Sequence, residues 1–120
     1  MKRIVLAGLM VGAALSPALA NQTTYGRCRI EVDGTAYVNG RCGREIIDMG
    51  QNGRTIIMGE NRRPSFFVSM HAEPDQPSTF DAHWSGSERN YHADDDLGEM
   101  QKINADCLAN SRAKVCWYPR

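Results

Sequence analysis

Three histidines, His71, His83 and His92, are the side chains best suited to metal or acid–base chemistry, and the acidic run Asp94-Asp95-Asp96 follows the last of them closely. A metal enzyme needs imidazole and carboxylate ligands converging on an ion that keeps one coordination position open. Neither the His-x-x-x-His nor the His-Glu-x-x-His spacing occurs, so the Asp run reads first as a solvated acidic turn capping the segment that begins at Leu97. His83, His92 and residues 94–96 are the set from which a small metal-dependent hydrolase could be built. Nucleophilic catalysis has less to work with, because no serine sits in a G-x-S-x-G elbow and the cysteines are expected in disulfides. A short chain rich in tight turns has little room for a deep substrate cleft, even where paired carboxylates could meet. The sequence therefore assigns no catalytic residue, no metal and no cofactor, and a non-enzymatic binding module is expected.

The segment Trp84-Ser85-Gly86-Ser87-Glu88-Arg89-Asn90-Tyr91-His92 carries more information. It mixes an indole, a phenol and a guanidinium with small hydroxyl residues, the composition of a protruding contact loop with rigid aromatic anchors and adaptable polar groups. Trp84 ends an alternating stretch and belongs to the core. Ser85, Ser87, Arg89, Tyr91 and His92 are the candidate partner-binding residues. They open a stretch, residues 85–97, without any apolar period, and long loops in compact domains often carry function.

Short strands must position this loop. Residues 27–32 place Ile30 and Val32 on one face, the period of a half-buried strand, and Asp33-Gly34 supplies a hairpin turn. Residues 35–38 form a second strand, and Asn39-Gly40 reads as a second turn before Cys42. Residues 45–48 and 54–58 are two further apolar runs, separated by a glycine-marked reversal at 49–53. The most apolar stretch, 64–70, and the alternating run 79–84 are expected as central strands, joined by a proline-punctuated loop at 73–78. In the tail, a hairpin loop at 110–113 sets Ala109 opposite Lys114, Leu108 opposite Val115 and Cys107 opposite Cys116, within disulfide reach. Cys28 then pairs with Cys42 by exclusion, while the two connectivities that link the chain ends stay open from sequence alone. A helix over 105–114 competes through its Ala, Leu, Arg and Lys content, but it lacks a 3.6-residue period. These elements predict a mainly β fold, a small antiparallel barrel or sandwich stapled by two disulfides.

The N-terminus runs from Lys2-Arg3 through an apolar stretch to Ser16-Pro17-Ala18-Leu19-Ala20, the order of a cleavable signal peptide over residues 1–20. The apolar run is shorter than a bilayer span, so the mature domain, 21–120, is expected to be free of the membrane, in the periplasm or secreted. Four cysteines, all beyond the cleavage site, fit disulfides better than a zinc site because no C-x2-C spacing occurs. Removing Lys2 and Arg3 leaves 12 basic residues against 14 carboxylates, a net charge of −2 that argues against nucleic-acid binding. Ten of those 12 are arginines, which are suited to forked recognition of carboxylates on a protein partner.

The pattern Cys28-x-Ile30-Glu31-Val32-Asp33-Gly34, continuing through Tyr37, Asn39-Gly40 and Cys42 and returning in Cys107 and Ala113-Lys114-Val115-Cys116-Trp117, resembles small periplasmic peptidoglycan-hydrolase inhibitors of Gram-negative bacteria. Ser85-Gly86 followed by Arg89 and Tyr91 is similar to the Ser-Gly loop of bacterial lysozyme inhibitors, with the tyrosine placed later here. The resemblance implies occlusion of a muramidase cleft, with Ser85, Ser87 and Arg89 presented to its catalytic carboxylates. The alternative is an envelope adaptor or structural domain that binds without blocking an enzyme.

Overall fold

A computed structural model describes residues 21–60 and 65–119. The expected signal peptide, residues 1–20, lies outside them, as do Pro64 and Arg120. The chain forms eight strands: β1 (Asn21–Val32), β2 (Thr35–Asp48), β3 (Arg54–Gly59), β4 (Phe67–Ala72), β5 (Thr79–Trp84), β6 (Asp95–Lys102), β7 (Cys107–Ala109) and β8 (Ala113–Pro119). Each pairs antiparallel with the next, and β8 returns to β1 to close a barrel. Between the two architectures expected, the barrel is the one formed.

Alternation explains the interior. Ile30, Val32, Val68, Met70, Met100 and Val115 point inward and are at most 2% exposed, so the middle of the barrel is a packed core. Each such side chain contributes roughly 1.5–3 kcal/mol of burial. The β1–β2 turn follows the Asp-Gly dipeptide, with Asp33 and Gly34 at φ 51° and 86°, the left-handed pair that a tight hairpin of this hand needs.

Asn39-Gly40 is not a turn. The second strand continues unbroken from Thr35 to Asp48, which absorbs residues 45–48 expected as a separate strand. Two forces override the local turn signal. Val38, Gly40 and Cys42 keep one parity, with Val38 and Cys42 in the core, and the whole strand finds ladder partners along β1, Asn39 opposite Arg29 and Gly40 opposite Cys28. A reversal at 39–40 would break that ladder and leave its backbone groups without strand partners. The hairpin between β7 and β8 has the expected register, Cys107 opposite Cys116, and no helix forms over 105–114. Disulfides join Cys107 to Cys116 and Cys28 to Cys42.

Two bulges break the alternation. One falls between Ile30 and Glu31 and leaves Tyr37 without a ladder partner; its ring meets Phe66 at 4.8 Å and Trp84 at 4.9 Å at one end of the barrel. The other, at Ala82/His83, brings Asp96 rather than Leu97 opposite His83. Leu97 is thereby free to turn inward, and it is 3% exposed.

Closure is uneven around the wall. β7 has three residues and meets β6 in only two register pairs, Gln101 with Ala109 and Lys102 with Leu108. Below them Asn110 takes over the work of a ladder. Its Nδ2 donates to the carbonyls of Leu97 (2.8 Å) and Glu99 (3.0 Å), while its Oδ1 accepts from the N–H groups of Arg112 and Ala113 at 2.8 Å each. One amide side chain thus joins the β7–β8 turn to the flank of β6.

Candidate functional site

The connection between β5 and β6, residues 85–94, stands at the end of the barrel that also carries the 33–34 and 110–112 turns. Its footing is Ser85, which is 2% exposed. The Ser85 N–H donates to the Phe67 carbonyl (3.0 Å), and the Phe67 N–H donates to Ser85 Oγ (3.1 Å), so a hydroxyl prolongs the β4–β5 ladder by one step. This corrects the expectation that Ser85 offers its hydroxyl to a partner, because that oxygen is buried and engaged.

Above the footing the loop is tied to itself. Asn90 Nδ2 donates to the Ser85 carbonyl (2.9 Å), the Arg89 N–H to Ser87 Oγ (3.2 Å), and the His92 N–H to Asn90 Oδ1 (3.0 Å). Gly86 starts the excursion at φ 69°, and a β-carbon there would collide with the Asp95 carboxylate. Both facts demand glycine. Gly86→Ala is expected to lower stability by about 1–3 kcal/mol through strain at this one residue, read as a fall in melting temperature. A melting curve superimposable on that of the parent would show that the loop does not need this conformation.

What the loop offers to solvent is Ser87, Glu88, Arg89, Tyr91 and His92, all exposed, with Tyr91 at 63%. Trp84 lies in the core at 6%, stacked near Phe66 at 5.8 Å, as its place at the end of an alternating strand suggested. Of the five expected contact residues, four are therefore presented and one is structural.

The histidines do not converge. His92 and Asp94 stay apart from His83, but the bulge in β6 gathers His83, Asp96 and Asp81 on the outer wall, with one ligating atom from each within 4.8 Å of the others. His83 Nε2 lies 3.8 Å from Asp96 Oδ1, an ion pair when the imidazole is protonated. Asp96 Oδ1 also accepts the Gly98 N–H at 2.7 Å, which engages it in the bulge itself. Asp81 escaped the sequence reading although its alternation with His83 already put the two on one face.

On the adjoining stretch of wall, where His71 of β4 stands opposite Asp81 of β5, His71 Nδ1 lies 2.9 Å from Thr55 Oγ1 and His71 Nε2 lies 2.9 Å from Glu73 Oε2. A hydroxyl, an imidazole and a carboxylate in line is the order of a nucleophilic triad. Here Thr55 and His71 are opposed residues of β3 and β4, both strands being paired on each side, so the neighbouring backbone N–H groups serve the ladder rather than an oxyanion. The arrangement is a cross-strand tie.

No protein-family model, curated protein or solved structure matches this chain. The physical observations therefore stand by themselves. Two disulfides with no free cysteine among the described residues suit an oxidising, extracytoplasmic environment. Among the described residues no helix is long and apolar enough to cross a membrane.

Proposed function

We propose that this protein is a periplasmic inhibitor of a lysozyme-like muramidase and blocks the enzyme's cleft with the tip of the 85–94 loop. The observation that carries the reading is the loop's construction: buried at Ser85, cross-bonded through Asn90 and Ser87, and exposed at Arg89 and Tyr91. A segment already held in shape loses little conformational freedom on docking. Arg89 supplies a forked cation for catalytic carboxylates, and Tyr91 an amphipathic ring with few rotamers to lose. Ser87 and His92 add adaptable hydrogen bonds beside them. Exposed Glu88 and Asp94 add negative charge within the same loop, which suits a partner whose acidic cleft is framed by a basic surface.

The test is turnover of purified cell walls by a panel of c-type, g-type, i-type and bacterial muramidases with the mature protein added. At least one enzyme is expected to be inhibited, and Arg89→Ala should weaken that inhibition about tenfold or more. If every enzyme in the panel runs unimpeded, the reading fails. Sedimentation of the protein with bare cell walls would then favour the envelope-adaptor alternative.

A further inference from the structure

The barrel's other end, ringed by the 49–53, 73–78 and 103–106 connections, is open onto a cavity of about 190 Å³. Its floor is apolar: Met58, Met70, Phe80, Leu108, Val115 and Trp117. Its rim is cationic: Arg44, Arg54 and Lys102, against the single carboxylate of Asp106. Arg54 has a partner at the edge, Asp48, at 4.0 Å. Arg44 and Lys102 have no ion pair among the described residues.

Arg44 is the unusual member. It occupies an inward-facing position of β2, in register with Met58, and its guanidinium lies 4.6 Å above the Trp117 ring. Trp117 is itself held from behind by Gly26, where a β-carbon would come within 2.9 Å of the ring and 2.6 Å of the Tyr118 carbonyl. The Arg44 Nε is buried without a hydrogen-bond partner, and burial pulls the guanidinium below its ordinary pKa. The Trp117 face offsets part of the cost of desolvating this cation, but it supplies no acceptor for the guanidinium N–H groups. An anion seated beside it would supply the missing acceptor.

We propose that this mouth is a binding site for a small amphipathic carboxylate of the medium-chain fatty-acid class, its tail on the methionine and aromatic floor and its carboxylate on Arg44. Eight strands enclose just enough room for one small ligand when side chains leave a gap. Met58 and Met70, unbranched and polarizable, let that gap fit a flexible tail. The planar guanidinium fork matches a carboxylate, while Lys102 and Arg54 add positive potential at the entrance. A phosphate monoester would bring more charge and hydration than one buried fork offsets. The site lies at the end of the barrel away from the 85–94 loop, so it is independent of the inhibitor reading.

The experiment is titration of the mature protein with octanoate, octanol and octyl phosphate, followed by tryptophan fluorescence in a Trp84→Phe background that leaves Trp117 as the sole indole, and by calorimetry. Octanoate is expected to bind saturably at one site, with octanol and octyl phosphate each about tenfold or more weaker. Arg44→Met should weaken octanoate about tenfold or more while leaving octanol unchanged, and should melt no lower than the parent. Arg44→Lys, which keeps the charge and loses the fork, serves if the methionine variant does not fold, and should also weaken octanoate. Arg89→Ala should bind octanoate as the parent does. Absence of saturable binding, equal affinity for octanol, tighter binding of octyl phosphate, or indifference to both Arg44 substitutions would overturn the proposal.

Discussion

Asn110→Ala is expected to lower the stability of the barrel by about 2–4 kcal/mol, a large effect for one polar side chain outside the core. The amide makes four hydrogen bonds, two to carbonyls of β6 and two from N–H groups of its own turn. Each is worth about 0.5–1.5 kcal/mol net, and those to Leu97 and Glu99 act where the β6–β7 ladder has only two register pairs. For a domain of this size the loss corresponds to a melting temperature about 10–25 °C lower. Asn110→Asp separates the two halves of the interaction. It keeps acceptors for the Arg112 and Ala113 N–H groups but turns a carboxylate toward two carbonyl oxygens, so it should melt at least as early as the alanine variant at neutral pH. An alanine variant within about 0.5 kcal/mol of the parent would mean that β6 and β7 are held together by something other than this side chain.

Replacing Cys28 and Cys42 together by alanine is the other large change, at about 3 kcal/mol. The bridge spans 14 residues of sequence, and closing a loop of that length in the unfolded chain accounts for the figure. Both half-cystines are also core residues, 2% and 0% exposed, so the alanines leave unfilled volume on top of the entropic term. The Cys107–Cys116 bridge spans nine residues across a hairpin whose register its turn already sets, and its removal should cost somewhat less. Denaturant unfolding of the two double variants side by side gives the order. Equal stability of parent and Cys28/Cys42 variant would show that the β1–β2 pairing needs no covalent help.

How far the sequence led depended on whether the determining signal was local. Parity within a strand and the chemistry of a two-residue turn are local, and they located the 27–32 part of β1, the 33–34 turn, β5 and the β7–β8 register, which favoured Cys107 with Cys116 and so Cys28 with Cys42, the pairing the structure has. Asn39-Gly40 misled for the opposite reason. Its turn preference is genuine, but β1, just across the 33–34 hairpin, runs long enough to give that region ladder partners, Arg29 opposite Asn39 and Cys28 opposite Gly40. The bulge in β6 left only a faint mark, the isolated Gly98, which adopts φ 83° beside it. A strand glycine signals a bulge but not which neighbour leaves the ladder, so the meeting of Asp81, His83 and Asp96 was not legible in the sequence. Within the 85–94 loop, composition identified the exposed Arg89 and Tyr91 but not that Ser85, next to them, faces the other way. The mouth lay furthest from view, since Arg44, Lys102 and Trp117 come from strands 2, 6 and 8 and become neighbours only when the barrel closes.

That closure sets the order in which the chain can reach its native state. Each disulfide joins sequence neighbours within one hairpin, and neither crosses the joint between the first and last strands. The two stapled hairpins can therefore assemble early, whereas zipping β1 to β8 brings together residues more than 80 positions apart and is the kinetically demanding step. A chain that has folded locally but not yet zipped carries two unsatisfied strand edges into a crowded compartment. Its hazard is edge-to-edge association with another copy, concentrated in the interval before the last ladder forms.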